Sequence, residues 1–104
     1  MVQAIDNRTD LTTRLVGTEQ HPRLADWDRA EVEVLAAEPV AGYADLLSRN
    51  VGHRLLLAVP RPLLADAAPG SVIRVRARLA AGEAMAERRP TPGTFAVEPA
   101  PGGA

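Results

Sequence analysis

Cysteine is absent from this 104-residue chain, and so is lysine. The first absence excludes disulfides, thiolate metal ligands and a cysteine nucleophile. The second makes all twelve basic residues arginine. A GC-rich coding genome accounts for that bias; selection for bidentate phosphate or carboxylate recognition is the functional alternative. Aromatics are nearly missing as well, with Trp27, Tyr43 and Phe95 the full set. An interior built without them rests on Leu, Val and the 19 alanines, and is thin. No apolar run approaches the ~20 residues of a membrane-spanning helix. The amino terminus lacks the basic and apolar regions of a secretory signal. No membrane partner and a cytoplasmic location are therefore expected. Net charge is −1, so no global field concentrates nucleic acid or anionic lipid, and any such binding has to be local.

What is present is alternation. In SVIRVRARLA, Ile73, Val75, Ala77 and Leu79 alternate with Arg74, Arg76 and Arg78. A period of two places the apolar set on one face of a β-strand and the guanidinium groups on the other. RAEVEVLA repeats the pattern with Glu31 and Glu33 against Val32 and Val34. HRLLLAV is a continuous apolar run of strand length ending at Pro60. These runs and their Pro/Gly punctuation predict five strands, at about 30–37, 53–60, 71–80, 83–88 and 94–98. Leu11–Gly17 is a weaker strand candidate. TEQHPRLADWDR reads as a loop, and YADLLSR (43–49) as a two-turn helix with Tyr43, Leu46 and Leu47 on one side. A further helical turn is possible in LLADAAPG. One β-rich domain is expected over 1–98, with 1–10 a loose arm or a short edge strand and the Pro/Gly/Ala tail 99–104 disordered.

The fold class predicted is all-β: a small five-stranded antiparallel barrel, or a sandwich, with one short helix. A glutamate-bearing strand (AEVEVL), an apolar strand (HRLLLAVP) and a Pro-Gly turn into PGSVIRVRARL resemble the OB-fold, the five-stranded Greek-key barrel. The resemblance covers about 30–98 at the level of fold, with no family motif. It implies that Arg74, Arg76 and Arg78 lie near the strand 2–3 face on which such barrels bind nucleic-acid strands. In the usual arrangement the helix falls between the third and fourth strands, whereas the candidate at 43–49 precedes the second.

The binding candidates are Arg74, Arg76, Arg78, Glu31, Glu33 and Trp27. The plain structural reading pairs Glu31 and Glu33 with the three arginines across neighbouring strands. The functional one makes the arginines an anion-binding face, although single-strand binding usually adds aromatic stacking platforms that this run lacks. Arg88-Arg89 extends a basic patch or is simply solvated, and Arg54 and Arg61 reach water. Trp27 either anchors an interface or folds back to cap the barrel end. His21 and His53, with Asp26, Asp28 and Glu31, do not make a recognisable metal site. Ser48, His53 and Asp45 lie near one another without a nucleophile elbow or oxyanion donors, so no catalytic residue is assigned. No cofactor is expected, because no Gly-rich phosphate loop occurs. The reading that follows is a non-catalytic binding or assembly module acting on another protein or on itself. A single-stranded nucleic-acid-binding domain using the Arg74/Arg76/Arg78 face is the alternative, and a small enzyme or accessory subunit the second.

Overall fold

The arginine run is extended, as its alternation requires. In the computed structural model, which describes residues 6–65 and 67–100, it forms β4 (Val72–Ala80). Ile73, Val75 and Ala77 are buried, and Arg74 and Arg78 are exposed. Five further strands precede and follow it: β1 (Thr9–Gln20), β2 (Trp27–Pro39), β3 (Arg54–Pro60), β5 (Glu83–Ala86) and β6 (Phe95–Glu98). β1 pairs with β2, β2 with β3, β3 with β5 and β5 with β4. A β1–β4 pairing then closes the ring. Every pairing is antiparallel except the short β3–β5 contact at Leu57/Ala84 and Ala58/Met85. This is a closed five-stranded, OB-like barrel. β6 lies outside the ring, on the same edge of β4 as β5 but along its first half, Val72–Val75.

The strand count from sequence is therefore off by one. The strand expected at 94–98 is not a barrel stave, and the weak candidate at 11–17 is the twelve-residue β1 that closes the ring. β1 was hard to read because its inward row is Thr9, Leu11, Thr13 and Leu15. Two hydroxyls interrupt the apolar alternation. Both are satisfied inside: Thr13 donates to the Ile73 carbonyl (2.9 Å) and Thr9 to the Asp45 carboxylate (2.8 Å). Two irregularities in the β1–β2 register, at Thr12/Thr13 and Leu15/Gly17, bend the pair. Bulges of this kind raise local twist and let a sheet close on itself.

The expected loose arm is anchored from Asn7 onward, and residues 1–5 lie outside the described residues. Asn7 is 2% exposed; its Oδ1 accepts from the Leu79 amide (2.8 Å) and its Nδ2 donates to the Leu79 carbonyl (3.0 Å). Its side chain thus continues the β1–β4 ladder two residues beyond the Thr9/Ala77 pair. The tail expected at 99–104 is described only at Pro99 and Ala100.

The helix expected at 43–49 does not form. Asp45 Oδ1 accepts from the amides of Leu47 (3.3 Å) and Ser48 (3.1 Å), which favours a turn over a helix, and only a 3-10 turn at Ser48–Asn50 follows. The one α-helical turn, α1 (Arg61–Leu64), sits between β3 and β4 with Pro62 in its first turn. That is where an OB-like barrel carries its helix, so the departure noted from sequence disappears once β1 is counted. Leu47 and Leu64, flanking the two ends of β3, complete an apolar cluster of Leu11, Leu15, Val32, Val34, Leu57, Val59, Ile73 and Val75. Alanines at 30, 77, 84 and 86 fill the remaining interior. Each fully buried aliphatic side chain contributes about 1.5–3 kcal/mol.

Candidate functional site

Three loops position the outer surface: L12 (21–26), L23 (40–53) and L45 (81–82). His21, its side chain 1% exposed, ties L12 to the start of β5. Its Nδ1 accepts from the amides of Arg23 (3.1 Å) and Leu24 (3.0 Å), and Nε2 meets Glu83 Oε1 at 2.5 Å. Nδ1 is thus the acceptor and Nε2 carries the proton. Glu83 also receives the Arg23 guanidinium (3.2 Å). L12 and L45 are therefore held against one another.

Between these loops lies an open groove of about 570 Å³, lined by the first half of β3, the end of β4 and the start of β5, with Arg29 the one residue from β2. Arg23, Arg29, Arg49 and Arg54 reach it from L12, β2, L23 and β3 respectively, and Leu56, 50% exposed, lies among them. Arg29 bonds Glu19 and Arg54 bonds Glu31 (3.0 Å). These partners hold the guanidiniums in place and offset part of their charge. Arg49 has no carboxylate partner among the described residues.

A second depression, of about 440 Å³, lies toward the far end of β5. Arg8, Arg78, Arg88 and Arg89 line it with Trp27 and Met85. Trp27 does not cap the barrel end. The alternation that turns Ala30, Val32 and Val34 inward turns it outward, where it is 8% exposed and outside the barrel's apolar cluster. The Arg88 guanidinium lies 5.9 Å from its ring centre.

The six sequence candidates therefore divide. Trp27 and Arg78 come together in the second depression. Arg74 and Arg76 do not join them: Arg74 pairs with Glu98 (3.2 Å), and Arg76 binds Asp10 through two bonds (2.8 and 3.1 Å). Asp10 raises the Arg76 guanidinium above its ordinary pKa. Glu31 and Glu33 do not face these arginines, because β2 is flanked by β1 and β3 rather than by β4. Glu31 pairs with Arg54, and Glu33 stands opposite Arg54 in register. The implied placement of the arginine run on the strand 2–3 face is likewise corrected, since the run is the fourth strand. Arg23, Arg29, Arg49 and Arg54 had no common signal in sequence; four separate segments supply them. Only the fold's known binding face, applied with the right strand count, would have found them.

Among the described residues no three His, Asp or Glu side chains gather as a metal-binding group, and no helix is long and apolar enough to cross a membrane. Asp28 is engaged by Arg61 (3.3 Å), and Asp45 is turned onto Thr9 and the loop amides. His53 is exposed. The site has to be read from its own geometry, because no protein-family model matches the chain and neither a characterised protein nor a solved structure shows significant similarity to it.

Proposed function

We propose that the protein binds single-stranded nucleic acid along the groove bordered by L12, β3 and L45. One observation carries this reading: guanidiniums from four separate segments converge on one face of an OB-like barrel, between L12 and L45. That is the face and the pair of loops through which such barrels engage oligonucleotides. Arginine forks match phosphate geometry, and the half-exposed Leu56 offers an apolar contact to a base. The groove has no aromatic platform, so binding is dominated by the backbone, tolerant of sequence and modest in affinity. Edge-to-edge assembly draws less support. The outer edge of β6 is four residues long and followed at once by Pro99, the kind of edge that resists pairing.

The test is fluorescence anisotropy of a labelled single strand titrated with the protein. Four phosphate contacts predict a slope of log K against log salt of about −3 for a single strand. The double variant Arg29→Glu/Arg54→Glu is expected to abolish binding. Absence of binding at low salt, or equal binding by that variant, removes the reading.

A further inference from the structure

We infer that the depression around Trp27 is a separate site for a diphosphate group, free as inorganic pyrophosphate or carried on a nucleoside diphosphate. The argument begins with β4. Its three outward arginines are chemically equivalent in sequence, yet Arg74 and Arg76 are each matched by a carboxylate and Arg78 is not. Arg88 and Arg89, brought alongside Arg78 by the segment after β5, have no carboxylate partner among the described residues either. The one acid in the lining is Glu87, and Arg8 already holds it at 3.1 Å. Three uncompensated guanidiniums therefore share one depression in a chain whose net charge is −1. Like charges so gathered repel, and a compact anion relieves that repulsion.

The depression is organised before any ligand arrives. Trp27 is nearly buried and carries Arg88 over its ring, while Tyr43 holds the Arg8 guanidinium at 4.5 Å from its own ring centre. Rigid stacking of this kind lowers the ordering cost of a guanidinium that must meet phosphate oxygens. Beneath this surface Arg8 Nε and Glu87 Oε1 are both buried without a hydrogen-bond partner among the described residues, so the anion is held by the three outer arginines and not by Arg8. A volume of about 440 Å³ suits a small ligand. Three open forks match a diphosphate better than a single phosphate, and Met85 adds an apolar wall for a nucleoside.

Trp27 is the only tryptophan, so its emission reports on this site alone. Pyrophosphate, orthophosphate and ADP are titrated into the intact protein, with sodium chloride at matched ionic strength as control. A saturable change with pyrophosphate, weaker with orthophosphate, is expected. Tighter binding of ADP than of pyrophosphate assigns the nucleotide, and equal binding assigns the diphosphate alone. Arg89→Glu, in a loop away from the core, is expected to weaken binding by at least about tenfold. Arg54→Glu, in the nucleic-acid groove, should leave it unchanged, so this inference and the proposed function fail independently. A change that sodium chloride reproduces, or one lost equally in Arg54→Glu, overturns the assignment.

Discussion

Arg76 grips both carboxylate oxygens of Asp10, the residue directly opposite it on β1. The pairing crosses the seam that closes the barrel. A two-bond fork fixes register as well as charge, and a slip of one residue would turn every inward side chain of β1 outward. Asp10→Ala leaves the largely buried Arg76 without its partner and is expected to cost about 1 kcal/mol. Urea denaturation of Asp10→Ala, Arg76→Ala and the double variant measures the coupling. Additive effects would show that the fork contributes nothing to the seam.

Asn7 secures the same seam by a different device, lending a side-chain amide where a backbone pair would otherwise stand. Asn7→Ala leaves the amide and carbonyl of Leu79 without their partner in a partly buried site. The expected loss is about 2 kcal/mol, read as a lower denaturation midpoint with unchanged slope. An unaltered midpoint would mean that the ladder ends at Thr9.

These two contacts explain what could and could not be read from the residues alone. The strands at 30–37, 53–60 and 71–80 were legible because Val32/Val34, Leu55/Leu57/Val59 and Ile73/Val75 are aliphatic, and burial leaves its period in such residues. β1 was blurred because Thr9 and Thr13 face inward, and their hydroxyls are satisfied only by Asp45 and Ile73, 36 and 60 positions away in sequence. Leaving it out of the five displaced the strand numbering, and with it the expected binding face. The arginine partners failed for the same reason. Pairing depends on which strands are neighbours, and Asp10 belongs to a segment that offers little apolar signal. Tyr43–Arg49 has helical spacing, but the Asp45 side chain competes for the amides a helix would need.

Asp45 is expected to add a small acid sensitivity to the fold. Proximity to the Ser48 side chain, the Thr9 hydroxyl and the amides of Ser48 and Leu47 together hold its carboxyl below the ordinary aspartate value, with burial opposing them; Ser48 Oγ itself has no hydrogen-bond partner among the described residues. Of the two hydroxyls, Thr9 makes the well-formed bond, at 2.8 Å. A carboxyl whose pKa is lower folded than unfolded contributes stability above its unfolded value. That contribution fades as pH falls through the folded value. Unfolding free energy is therefore expected to drop below the usual aspartate range and to drop less in Asp45→Asn. Parallel pH profiles for the two proteins would remove Asp45 as a source. Because the group is exposed, the difference is small.

His21 links stability to the proposed groove. It is buried, accepts two L12 amides on Nδ1 and meets Glu83 through Nε2, so one imidazole ties L12 to the first residue of β5 beside the proposed groove. His21→Ala removes all three contacts at once and leaves every groove arginine in the sequence. The amides of Arg23 and Leu24 lose their acceptor and should exchange with solvent faster, while those of β4 keep their protection. Arg23 loses the fixed Glu83 beside it, and single-strand affinity should fall by about two- to tenfold, since ordering a loop side chain on binding costs roughly 0.5–1.5 kcal/mol. Glu83→Gln separates charge from geometry. It keeps an acceptor for Nε2 but weakens the hold on Arg23, so exchange at Arg23 and Leu24 should stay slow while affinity changes. Fast exchange in Glu83→Gln would mean that the carboxylate, and not the two amide bonds, holds L12 in place.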